Sequence, residues 1–119
     1  MRRSFLFLIL LFLSLQAMAQ KAYEAVYYKG QTEFLSIRFT LGDGYLPACE
    51  IKTTELKTLK KSTFLPEVGA PDEHKQIKFY HFSAASKSFS DYFIIDGMEE
   101  VYDQAPAKLY GKYYFNGKV

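Results

Sequence analysis

The strongest pattern along the chain is alternation of apolar and polar positions with period two, which marks strands with one buried face. It is clearest from Glu33 to Leu41. There Leu35, Ile37, Phe39 and Leu41 share one face, and Ser36, Arg38 and Thr40 share the other. Tyr23–Lys29 precedes it as a strand rich in β-formers, with Gly30-Gln31 as the turn between them. Gly42-Asp43-Gly44 predicts a tight hairpin, because glycine tolerates positive φ. The next strand runs from Tyr45 to about Thr54 and contains Pro47. Proline donates no ladder hydrogen bond, so this end is expected at an edge or a bulge.

Residues 50–63 fit either a short helix or a polar hairpin. Ile51, Leu56 and Leu59 hold helical spacing poorly, and Thr53, Thr54 and Thr58 disfavour helix. A hairpin turning at Lys57–Lys60 and returning through Ser62 to Leu65 is therefore expected. Pro66–His74 reads as a loop broken by Gly69, Pro71 and Asp72. Gln76–Phe82 and Phe89–Asp96 read as strands joined by a polar loop, Ser83–Ser88. Met98–Gln104 reads as one helical turn before Pro106, and Lys108–Phe115 as a last aromatic strand with Gly111 inside it. The fold class is all-β: six to seven antiparallel strands in a meander, barrel-like or sandwich. Asn116-Gly117 then gives a strong hairpin signal with two residues beyond it. A closing strand that is missing or very short would leave an open edge able to recruit another strand, a homodimer through the C-terminal strand included; the alternative is a frayed tail in which Asn-Gly marks no hairpin. The strand pattern alone resembles lipocalin-like calyx barrels. The chain has no Trp, so the Gly-x-Trp signature of that family is absent and no family is assigned.

The N-terminal segment departs from the alternation. Arg2 and Arg3 precede an apolar run, Phe5–Leu15, broken only by Ser14, and Ala17-Met18-Ala19 offers small residues to a signal peptidase. Residues 1–19 are read as a signal peptide cleaved between Ala19 and Gln20, and 20–119 as a small β domain. Gln16 and Gln20 cut the run short of the roughly 20 apolar residues a spanning helix needs, so no stable membrane anchor is expected after cleavage. The expected location is secreted or periplasmic. Loss of Arg2 and Arg3 reduces the 15 basic residues to 13, equal to the 13 acidic ones. A neutral domain with Arg38 as its one arginine gives no reason to expect nucleic acid as a partner.

Candidate chemistry is sparse. Cys49 is the single cysteine, so no internal disulfide forms, and a small buried apolar role is expected of it. His74 and His81 show no metal-ligand spacing with Cys49, Asp72 or Glu73, and neither metal nor cofactor is expected. Asp96, Glu99, Glu100 and Asp103 are read as the cap and first turn of a short helix rather than as a calcium loop. Asp91, Asp96, Glu24 and Glu33 offer carboxylate pairs for a small hydrolase, but spacing selects none of them. The aromatic load has more reach: all 10 Tyr and 8 of the 11 Phe lie beyond the leader. Tyr27-Tyr28 and Tyr113-Tyr114 put rings on both faces of their strands. Tyr27, Tyr28, Tyr80, Tyr113, Tyr114 and Arg38 are the expected ligand-binding set, with a small molecule, glycan or protein as partner. The expected function is a non-enzymatic exported binding module. A cell-envelope interaction protein and a carboxylate hydrolase are the alternatives.

Overall fold

The alternating segments form seven strands: β1 (Glu24–Gln31), β2 (Leu35–Asp43), β3 (Glu50–Glu55), β4 (Lys61–Pro66), β5 (Ile77–Phe82), β6 (Tyr92–Ile95) and β7 (Gly111–Tyr114). The structure is a computed structural model describing residues 23–85 and 88–115. Each strand pairs antiparallel with the next, in the order β1-β2-β3-β4-β5-β6-β7. The sheet curls on itself into a half-barrel. It is the all-β meander expected from the alternation, with the residues 50–63 hairpin in place. Asn116-Gly117 lies outside the described residues, as does the leader. Among the described residues no helix is long and apolar enough to cross a membrane.

Curling sends one side-chain row of every strand inward. Cross-strand partners share a face, so the inner surface is built from Tyr28–Phe39–Ile51–Phe64 across β1 to β4. It continues as Ile77–Ile95 and Phe79–Phe93–Tyr113 across β5 to β7. Leu41, Ile51, Phe64, Phe79 and Met98 are fully or almost fully buried. The rings meet edge to face: Phe39 on Phe79 at 5.6 Å, and Phe64 on Phe93 at 4.8 Å. With Cys49 as a free buried thiol, stability rests on this packing rather than on a covalent bridge.

Four local expectations are corrected. The first turn is not Gly30-Gln31, because β1 runs on through Gln31. Thr32 makes the turn instead: its hydroxyl accepts the Leu35 amide at 3.0 Å, and its own amide donates to the Leu35 carbonyl. The second is the tight hairpin at Gly42-Asp43-Gly44. Gly42 and Asp43 belong to β2, and the chain leaves through Gly44 at φ +92° into a 3₁₀ turn, Leu46–Ala48, that holds Pro47. Pro47 therefore starts a turn, where no amide is needed, instead of sitting in a strand. The third is the helical turn at Met98–Gln104. Met98 is drawn into the core and its amide donates to the Lys75 carbonyl, so the segment is pinned in an irregular path. Asp96 caps no helix; its carboxylate accepts the Gln76 side-chain amide. The fourth is Gly111, which opens β7 instead of lying inside it.

Gly42 is glycine for want of space. A Cβ there would lie 2.5 Å from the Tyr45 carbonyl oxygen and 3.1 Å from Ala48 Cβ. The backbone oxygen cannot swing aside as a side chain would. Gly42→Ala is expected to destabilise the fold by about 2 kcal/mol, read as a lowered urea midpoint with unchanged slope.

Candidate functional site

The half-barrel does not close by strand pairing: among the described residues neither β1 nor β7 pairs with a second strand. One end of the resulting seam is bridged by the segment between β6 and β7. The Tyr28 hydroxyl donates to the Pro106 carbonyl at 2.7 Å. The Tyr102 amide donates to Asp43, and the Gly44 amide to the Glu100 carbonyl. These bonds explain why Tyr28 is half-buried, and burial pushes its phenol above the ordinary value, the nearby Asp43 charge adding to the effect.

The other end stays open as a groove of about 700 Å³. Leu35 and Tyr113 line it, and Phe34, Leu56 and Phe115 stand exposed around it with Glu33 and Glu55. Further along the seam a second cleft of about 290 Å³ reaches the interior between Tyr28, Gly30, Phe93, Ile95 and Gly111. Gly30 leaves space there, since a Cβ on it would touch only Ile37 at 3.9 Å.

Tyr113 connects the groove to a buried polar chain. Its hydroxyl donates to Asp91 at 2.6 Å, and the other Asp91 oxygen lies 2.8 Å from His81 Nδ1. His81 is sandwiched by rings, stacked on Phe89 at 3.9 Å and tilted against Phe64 at 4.6 Å. Burial, then the hydrogen bond to Asp91, hold the Tyr113 phenol well above its ordinary value. A phenol whose folded value is raised supports the fold below the ordinary value of 10.0 and loses that support as pH climbs through the folded value. Tyr113→Phe is expected to lower stability at neutral pH and to flatten its decline above about pH 10, measured as urea midpoints across that range.

The six residues expected to bind ligand do not form one surface. Tyr28 and Tyr113 face inward at the seam. Tyr27, 76% exposed, and Arg38 face outward on β1 and β2. Tyr80 and Tyr114 lie on the convex face of β5 and β7. The Tyr114 ring stacks on Tyr92 at 4.9 Å, and the Lys78 ammonium caps Tyr92 at 4.4 Å. Period two placed the rings on alternate faces but not on which side a ligand would meet them. Phe34, Leu56 and Phe115 escaped that reading because they sit in turns or past a strand end, where periodicity assigns no face.

Cys49 Sγ accepts the Gly42 amide at 3.2 Å, and burial raises its thiol above the ordinary value, so the thiolate needed for nucleophilic chemistry is disfavoured. Glu24, Glu33 and His74 are exposed. Glu99 pairs with Lys75 at 3.3 Å. Among the described residues no three His, Cys, Asp or Glu side chains converge as metal donors. Comparison with known proteins returned no matching family model, no matching curated protein and no matching solved structure.

Proposed function

We propose that the protein is an exported, non-enzymatic binding module that holds its ligand in the groove along the unclosed seam. The groove itself carries this reading. Three large apolar side chains, Phe34, Leu56 and Phe115, stay exposed around one concavity whose wall is the inner face of the sheet. Grouped apolar exposure around a concave surface marks a ligand site more often than scattered exposure does. The fold supports it further, since one end of the seam is tied shut by Tyr28 and Tyr102 and the other is left accessible. The Arg2-Arg3, Phe5–Leu15 and Ala17–Ala19 pattern supports export, with cleavage between Ala19 and Gln20 and a secreted or periplasmic product.

A neutral apolar dye, N-phenylnaphthylamine, tests the groove. Its fluorescence is expected to rise on binding, and Leu56→Ser or Phe115→Ser is expected to weaken that binding by about tenfold, as loss of one apolar anchor does. Both residues are exposed, so the variants should fold. A dye that binds the variants and the parent equally overturns the site. Intact mass of the protein recovered from its exporting host tests the leader. A mass that includes residues 1–19 overturns cleavage.

A further inference from the structure

We infer that the seam takes an extended polypeptide strand, antiparallel to both β1 and β7, with apolar side chains turned inward and acidic ones outward. The inference rests on the reading of the seam as the ligand site and names the ligand. Three observations carry it.

The first is parity. Seven strands joined as an antiparallel meander leave β1 and β7 running in the same direction. One further strand, and only one running the other way, lies antiparallel to both rims and completes an eight-stranded barrel. Eight strands enclose an interior just wide enough for side chains to fill, and Phe39, Phe64, Phe79 and Phe93 fill this one except at the cleft of about 290 Å³ beside Gly30 and Gly111.

The second is the backbone. The Thr32 amide bonds the Leu35 carbonyl, so alternate residues back along β1, Gly30 and Tyr28, also turn their main-chain groups toward β2. Tyr27, Lys29 and Gln31 then turn theirs to the seam. On the opposite rim the Asp96 amide bonds the Tyr110 carbonyl, which leaves the main-chain groups of Gly111 and Tyr113 pointing away from β6. Two rows of donors and acceptors face a common gap, the arrangement that strand addition uses.

The third is the side chains beside the gap. Inward positions on the rims are Tyr28, Gly30, Gly111 and Tyr113, and the cleft between them reaches Ile95 and Phe93. Outward positions are Tyr27, Lys29 and Gln31 on β1, and Lys112 and Tyr114 on β7. Lys29 lies directly opposite Arg38, and Arg38 opposite Lys52. Like charges directly opposed across strands cost stability, and a carboxylate beside Lys29 offsets that cost. Glu33 and Glu55 line the groove at the open end of the seam beside Tyr113, so the strand's acidic residues are placed at Lys29 and Lys112 and not at that end. A second copy's β7 would bring Lys112 to the same lysines, so a different polypeptide fits better.

The test uses a fluorescein-labelled peptide of about nine residues alternating glutamate and valine, a usual strand length, added to the full protein. Binding is expected by fluorescence polarisation, with hydrogen exchange slowed at Lys29, Gln31, Gly111 and Tyr113. Lys29→Glu with Lys112→Glu should weaken it about tenfold or more and favour a lysine–valine peptide instead. Methylation of the peptide's alternate amides should abolish it. Dye binding without peptide binding overturns the strand and leaves the groove standing; failure of both overturns both. Slow exchange at the same amides in the protein alone, or a dimer that protects them, overturns the acidic strand, because the rims are then already occupied.

Discussion

Phe79→Ala is expected to cost about 4 kcal/mol, the largest effect of any single truncation in this fold. Phe79 is fully buried and central: it faces Phe93 on β6 and Pro66 on β4, and its ring meets Phe39 edge to face across the interior. Removing it deletes the ring's transfer free energy and leaves a hole that neighbours on three different strands cannot all collapse into. A domain of this size is stable by roughly 5–15 kcal/mol, so the variant loses a large share of that margin. Its melting temperature should fall by about 15–30 °C, while Phe79→Leu should cost less than half as much because most of the volume is kept. Thermal unfolding followed by far-ultraviolet circular dichroism checks both. If the alanine variant melts within a few degrees of the parent, the curled sheet is not held by its inner face, and the seam loses its rigid frame.

The fold was legible because a strand buried on one face repeats every two residues, and β2 and β5 carry that repeat plainly in Leu35, Ile37, Phe39 and Leu41 and in Ile77 and Phe79. Errors arose where a side chain or a close contact overrode local propensity. Thr32 takes the turn that Gly30 marks in the sequence, and Gly42 is a packing glycine rather than a turn glycine. Met98 is drawn into the core and holds in an irregular path a stretch that reads as helix. The site was less legible, since a groove at a barrel end is made from turns. One feature was recoverable in principle. The pairing of Tyr80 with Tyr92 makes His81 and Asp91 symmetric about the same loop, His81 as the last inward position of β5 and Asp91 as the residue just before β6. Two polar residues ending two apolar rows, one basic and one acidic, signal a buried pair that residue type alone does not.

Asp91→Ala is expected to cost about 3 kcal/mol by leaving two polar groups without partners in one step. Asp91 is only 8% exposed, and its two oxygens serve different strands: one meets His81 on β5, the other accepts the Tyr113 hydroxyl from β7. Alanine removes both acceptors, and the stranded phenol and imidazole keep their desolvation cost. Asp91→Asn retains one acceptor oxygen and should lose about half as much. Tyr113→Phe removes a donor without stranding a polar group on its own side, so it should cost less than Asp91→Ala. The decisive quantity is the coupling in a double-mutant cycle between positions 91 and 113. If the carboxylate ties the last strand to the barrel, the double variant should be more stable than the sum of the single losses predicts, by about 1 kcal/mol or more. Simple additivity would mean that β7 is held by its ladder to β6 alone. The rim formed by β7 would then have no polar anchor to the wall opposite the open groove.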